Sequence, residues 1–204
     1  MKLYYKPGAC SLAVHIALNE IGVEFDLEKV NTKEQTTETG ADYSKISPNG
    51  YVPALSIDGG EILTEAAAVL QYLADQHPAA KLAPPAGSIE RTRLQQHLNF
   101  TASELHKSFS PFFASEALDG TDREAAEAKV ARRLSYVDAV LADGRPYLLG
   151  DTFSAADMYT FVVSSWAGPT GIGFDRWPNV AAYVKRVGER PSVVQALKAE
   201  GLIN

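Results

Sequence analysis

The sequence carries one thiol, Cys10, and it stands where a thiol can react. It follows an aromatic run, Leu3-Tyr4-Tyr5, and a Pro7-Gly8 turn, and it opens a stretch with helical apolar spacing. A helix N-terminus bears positive partial charge and unpaired N–H groups, which favour a thiolate or hold an anion. Ser11 shares the position and Tyr5 ends the preceding strand, so either hydroxyl could donate to the sulfur. Against this, a lone cysteine is often an inert, buried small hydrophobe, and Tyr5 equally suits a plain strand aromatic.

Three further groups could do chemistry. Val52-Pro53 stands between a turn and a strand. It reads either as a strand boundary or as a cis peptide whose Val52 backbone groups pair with an extended ligand. Thr64-Glu65-Ala66 is a strand-to-helix junction. It is either an acidic helix start or a place where N–H groups take a carboxylate and Glu65 takes an ammonium. Asn99, Ser103 and His106 are spaced by four and three, so they share a helical face, with Glu104 and Lys107 on the adjoining stripe. That stripe is either a solvated face or a polar site beside the core residues Leu98, Phe100 and Leu105. His15, within the first helix, reads as structural.

The elements that must position these residues fall into two kinds. Residues 2 to 6 read as a strand and Ser11 to Ile21 as a helix stopped by Gly22. Val23, Phe25 and Leu27 alternate with Glu24, Asp26 and Glu28 as in a half-buried strand. Asn31 to Gly50 is polar and turn-rich. Ala54–Ile57 and Glu61–Leu63 flank Asp58-Gly59-Gly60 as a hairpin, and a helix follows from Glu65 to Gln76. The order is βαβ then ββα. His77 to Ser88, with Pro78, Pro84, Pro85 and Gly87, breaks the pattern as a domain boundary does. Beyond it only helices are expected: Ile89 to Glu116, Asp122 to Ala142, Ala155 to Trp166, Val180 to Glu189 and Ser192 to Ala199.

Composition narrows the function classes. The 204 residues are 46% hydrophobic and 22% charged, as in a globular protein. There are 25 acidic and 19 basic residues, a net charge of −6, which opposes nonspecific binding to nucleic acid. One cysteine excludes an internal disulfide framework and a multi-cysteine zinc site, so no metal is expected. No apolar run approaches the ~18–20 residues that cross a bilayer, and the N-terminus lacks the apolar core of a signal peptide. The expectation is a cytoplasmic protein with no membrane or nucleic-acid partner.

Taken in order, these residues resemble a glutathione S-transferase over nearly the whole chain. The resemblance implies an α/β thioredoxin-like, glutathione-binding domain over residues 1–80. A linker over 81–88 and an all-α domain over 89–204, lining the electrophile site, complete the expected organisation. Phe153-Ser154-Ala155-Ala156-Asp157-Met158 is similar to the family's helix-start element, with Ser154 as cap, Asp157 three residues on and a Phe153–Met158 staple. Tyr5-Lys6-Pro7-Gly8-Ala9-Cys10-Ser11-Leu12 and Glu104-Leu105-His106-Lys107 look like the bacterial beta class. In that class the cysteine lies beside the glutathione sulfur and can form a mixed disulfide with it, and the histidine faces the same place. The resemblance therefore implies catalytic roles for Cys10 and His106. It further implies glutathione contacts from Ala9, Val52, Glu65, Ala66, Asn99, Ser103 and Glu104, in part across a homodimer, with Tyr5, Ser11 and Lys107 as support.

The sequence departs from the family in two places. Ala66 stands where serine is frequent, which removes a hydroxyl contact but keeps the N–H. The lysine that the beta class tends to carry near Gln35 is absent there, the nearest being Lys33, so the glycyl carboxylate contact is left unassigned. Three functions follow from the resemblance: glutathione transfer to small hydrophobic electrophiles, thiol–disulfide exchange through Cys10, and a non-catalytic ligand carrier. Cys10 argues against the carrier, which needs no thiol at a helix end. Phe109, Phe112, Phe113 and Trp166 read either as the wall of an apolar electrophile pocket or as core.

Overall fold

A computed structural model of the chain describes residues 1–114 and 118–204. They form two compact units, Met1–Ala83 with Glu189–Asn204, and Pro84–Gly188. The grouping differs from the sequence expectation in one respect. The last helix belongs to the first unit, because its side chains satisfy polar groups of the first helix.

The first unit is built on a five-stranded sheet of order β3-β2-β1-β4-β5. Its strands are β1 (Lys2–Tyr5), β2 (Asp26–Asn31), β3 (Thr36–Thr37), β4 (Ala54–Ser56) and β5 (Ile62–Thr64). Strand β1 pairs parallel with β2 and antiparallel with β4, and β4 pairs antiparallel with β5 as the expected hairpin. The crossover from β1 to β2 is α1 (Ser11–Ile21), and α2 (Ala66–Gln76) follows β5. Helix α1 buries Leu12 through Leu18, and Gly22 ends it in the left-handed region at φ 77°, where its N–H closes on Leu18 and Asn19. Leu3 and Tyr5 are buried on one face of β1, while Tyr4 on the other stacks 5.9 Å from Tyr43. There Val30, Tyr43 and Ala54 form a second small core with Tyr4, Ile46, Val52 and Ile62 against it.

Two sequence expectations are corrected here. The alternation at 23–28 describes a lead-in, and the strand itself is Asp26–Asn31. Glu28, expected to face water, is buried because its carboxylate is held by Lys2 Nζ at 2.7 Å and by the Thr39 hydroxyl. The polar stretch 31–50 contains β3 and a 3-10 turn at Tyr43–Lys45, anchored by the fully buried Tyr43.

The helix α8 (Pro191–Ala199) packs on α1. Asn19 Nδ2 donates to the Ser192 carbonyl at 3.1 Å, and Glu20 takes Arg190 and the Ser192 hydroxyl. Glu200, just beyond α8, is buried. Its Oε1 meets His15 Nδ1 at 2.9 Å and its Oε2 accepts the Gly8 N–H at 2.9 Å.

The second unit is helical: α3 (Ile89–Phe100), a π turn (Thr101–Leu105), α4 (His106–Phe109), α5 (Gly120–Val140), α6 (Ala155–Ser165) and α7 (Pro178–Gly188). After Phe109 the chain turns through Ser110–Phe113, and the expected helix end at Glu116 lies outside the described residues. Helix α6 is buried from Ala155 through Ser164 and forms the centre of the unit. Its start is the expected capping box, in which the Ser154 N–H and hydroxyl both reach Asp157 Oδ2. Leu148 N–H and the Tyr183 hydroxyl donate to Oδ1 of the same carboxylate. Burial pushes Asp157 up to about 6, and four donors keep it ionised at neutral pH. Phe153 stacks on Tyr147, with ring centroids 5.4 Å apart.

Candidate active site

In the first unit the sheet register brings three motifs to one end. Tyr4 pairs with Ala54, and Ala54 pairs with Thr64. The chain after β1, the chain before β4 and the chain after β5 therefore emerge together. They carry Ala9 and Cys10, Val52 and Pro53, and Glu65 and Ala66 respectively.

Cys10 is the N-cap residue of α1 and is half-buried. Its thiol donates to the Val52 carbonyl at 3.2 Å, so the cysteine and the Val-Pro motif are in direct contact. The turn before it is closed by Ala9 N–H on the Lys6 carbonyl at 3.0 Å. Ser11 is fully buried, and its hydroxyl both accepts from the Lys6 N–H (3.2 Å) and donates to the Lys6 carbonyl (3.3 Å). Ser11 thus fastens the turn that presents Cys10. Tyr5 is buried, its ring edge-on to His15, and burial raises its pKa so that it stays a phenol.

The Val52–Pro53 peptide is cis. The segment is held from behind by hydroxyls of Tyr43 (2.8 Å) and Ser47 (3.2 Å), both donating to the Tyr51 carbonyl. Burial pushes the Tyr43 phenol up to about 12, so it remains a donor. At the third motif Glu65 is exposed and has φ 66° and ψ 106°, in a region that non-glycine residues rarely occupy. Such backbone costs about 1–3 kcal/mol and concentrates where ligands are clamped. Its carbonyl takes the Ala68 and Val69 N–H groups, which leaves the first N–H groups of α2, at Ala66 and Ala67, directed out of the helix end. Gln35 bonds the Thr32 and Gly50 carbonyls through Nε2.

In the second unit the polar stripe does not share one face as its spacing predicts. Asn99, Ser103, Glu104 and Lys107 are exposed, whereas His106 turns inward. The reason is the π turn, in which the His106 N–H reaches back five residues to the Thr101 carbonyl and rotates the chain beyond it. Ser103 donates to the Asn99 carbonyl at 2.8 Å, and Glu104 pairs with Arg133 at 2.5 Å. His106 Nδ1 lies 2.8 Å from the Tyr159 hydroxyl, and its ring stands edge-on to Trp166 at 4.8 Å. Burial, with the Lys107 charge beside it, lowers His106 to about 4, so the ring is neutral at physiological pH. Phe109 and Trp166 are buried and belong to the core, while Phe112 is half-buried and Phe113 exposed at the edge of the same aromatic group.

Sequence reasoning missed Tyr43, Ser47, Tyr159 and Glu200. Tyr43 had a local signal, as an aromatic isolated in a polar stretch. Tyr159 and Glu200 had none, since their partners lie 53 and 185 residues away. Among the described residues no group of three or more His, Cys, Asp or Glu could hold a metal ion. No helix there is long and apolar enough to cross a membrane.

Comparisons with known proteins agree with this fold. Residues 8–76 match the glutathione S-transferase N-terminal domain, and residues 100–191 match the C-terminal domain of the same family. Glutathione S-transferase GstA of Escherichia coli O157:H7 is 42% identical over 202 residues, covering 99% of this chain and 100% of the relative. The structure of the bacterial beta class glutathione S-transferase of Sphingomonas chungbukensis is 47% identical with a TM-score of 0.95, covering 100% of both chains. A sphingomonad glutathione S-transferase complexed with glutathione is 46% identical with a TM-score of 0.93, again over 100% of both. With its thioredoxin-like sheet unit, its helical unit and this relatedness along the full length, the chain belongs to the glutathione S-transferase family of enzymes.

Proposed function

We propose that the chain is a beta class glutathione transferase that joins the glutathione sulfur to small hydrophobic electrophiles and also exchanges disulfides through Cys10. The observation that carries this reading is the Cys10 thiol at the start of α1, 3.2 Å from the Val52 carbonyl, in a chain related throughout to such transferases. A relative 46% identical was solved with glutathione, and the three motifs at the sheet end offer what that tripeptide requires. Val52 offers backbone for pairing, the α2 N-terminus offers N–H groups for a carboxylate, and Glu65 offers a charge for the ammonium. Asn99, Ser103 and Glu104 are proposed glutathione contacts with Lys107 in support, and a homodimer in the cytoplasm is the proposed setting.

In conjugation the glutathione thiolate attacks the carbon bearing a halide, forming C–S while the halide leaves with the bonding pair. In exchange the Cys10 thiolate attacks a glutathione mixed disulfide, forms a new disulfide and releases the other thiolate. The two reactions use different nucleophiles, which supplies the test. Cys10→Ala should abolish exchange and only reduce conjugation of an aryl halide. Exchange that persists in Cys10→Ala would remove the assigned thiol, since no other cysteine is present. An unmodified protein that conjugates no aryl halide would remove the transferase reading.

A further inference from the structure

The π turn before His106 is tied to α6 at both ends by consecutive residues. Thr101, its first residue, shares a buried 2.7 Å hydrogen bond with Thr160. His106, directly after its last residue, meets the Tyr159 hydroxyl 2.8 Å from Nδ1. Tyr159 is buried, and its ring stands nearly perpendicular to the imidazole with centroids 6.0 Å apart. Trp166 supplies a second perpendicular ring. An imidazole in edge contact with two aromatic rings and bonded at one nitrogen has a fixed orientation. The partner at that nitrogen decides which tautomer the ring adopts.

The geometry points to Tyr159 as a positioning residue that fixes His106 in the tautomer protonated at Nε2. A phenol is a strong O–H donor but a weak acceptor, because its oxygen is conjugated with the ring, whereas a bare imidazole nitrogen accepts readily. The contact is best satisfied with Tyr159 donating to Nδ1, and the ring proton then resides on Nε2. Burial and the neighbouring Lys107 charge disfavour the imidazolium, so this neutral form persists at physiological pH. His106 accordingly presents an N–H and no lone pair at Nε2. On the transferase reading and the catalytic role proposed for His106, on which this consequence rests, the imidazole acts in the reaction as a hydrogen-bond donor through Nε2. With Nε2 already protonated it does not serve as the base that removes a thiol proton.

The test joins a spectroscopic readout to a kinetic one. Side-chain 15N NMR of the full chain at neutral pH should show His106 with a protonated Nε2 and a bare Nδ1, the resonances being assigned by their loss in His106→Ala. Tyr159→Phe should yield a mixture of tautomers. It should also lower kcat for aryl halide conjugation about three- to tenfold, as for one lost hydrogen bond, with KM for glutathione unchanged. In a His106→Ala background, Tyr159→Phe should add nothing, because its effect acts through the imidazole. A proton on Nδ1 in the unmodified protein would overturn the inference, as would Tyr159→Phe and His106→Ala effects that multiply. If the unmodified protein conjugates nothing, the transferase reading fails, while the tautomer still decides the assignment to Tyr159. Should Tyr159→Phe not fold, the NMR of the unmodified protein decides it alone.

Discussion

Glu65 bears two unusual properties at once: an exposed carboxylate and a backbone at φ 66°. The fold bears the cost of that conformation where strand β5 must turn sharply into α2, and the outcome is a carboxylate beside outward-facing N–H groups. If Glu65 takes the ammonium of glutathione, Glu65→Ala should weaken glutathione binding about ten- to a hundredfold, the loss of a charge-assisted hydrogen bond of roughly 1.5–3 kcal/mol. Isothermal titration with glutathione reads this directly, and equal affinity in the two proteins would remove Glu65 from the site. Glu65 and Cys10 were both legible as candidates in the sequence, because a turn followed by a helix start is a local pattern. The strain at Glu65 was not legible, since it depends on the angle at which β5 delivers the chain to α2. The inward turn of His106 was hidden for a related reason. Spacing arguments assume an unbroken 3.6-residue period, and the π turn at Thr101–Leu105 breaks it just before the histidine.

Among the elements, β2 shows how a charge can be built into a sheet. Lys2 is the main cause that holds the Glu28 carboxyl down at about 2, followed by the Thr39 and Thr37 hydroxyls. A carboxyl whose native pKa is depressed stabilises the fold above its unfolded pKa, here near 4.5, and that contribution is lost as the pH falls towards about 2. Glu28→Gln keeps the shape and removes the charge. At neutral pH it should cost roughly 1–3 kcal/mol, as for a buried charged group that loses its hydrogen-bonded partners. The difference from the unmodified protein should shrink as the pH drops through that window. Urea unfolding at several pH values measures it, and a gap that is the same at neutral and acid pH would show that the charge is not its source. The strand pattern alone misplaced this residue, because period-two alternation assigns polar side chains to water and takes no account of a lysine on the paired strand.

For the whole molecule, the proposed homodimer is the main consequence still to be measured. The resemblance assigns Glu104 a role at a neighbouring site, while in the chain its carboxylate pairs with Arg133. Sedimentation equilibrium at micromolar concentration should give twice the 22.0 kDa chain mass. A single-chain mass at every concentration would reject the dimer and the part of Glu104 in it.

The sequence by itself determined the class of each half, since amphipathic period and turn residues are local properties. Helix α1 follows its expected bounds, Ser11–Ile21, and the β4–β5 hairpin forms where its turn residues stand. It also placed Cys10, Val52 and Glu65 at element ends. Only the tertiary structure decided that the sheet register gathers those ends, and that Ser11 and Glu200 fasten the turn before Cys10. It alone decided that His106 meets Tyr159 and that the last helix belongs with the first unit. Each of these is a hydrogen bond or pairing between groups far apart along the chain. The requirement that buried polar groups find partners is general, but which distant partner each one finds is settled only when the elements pack.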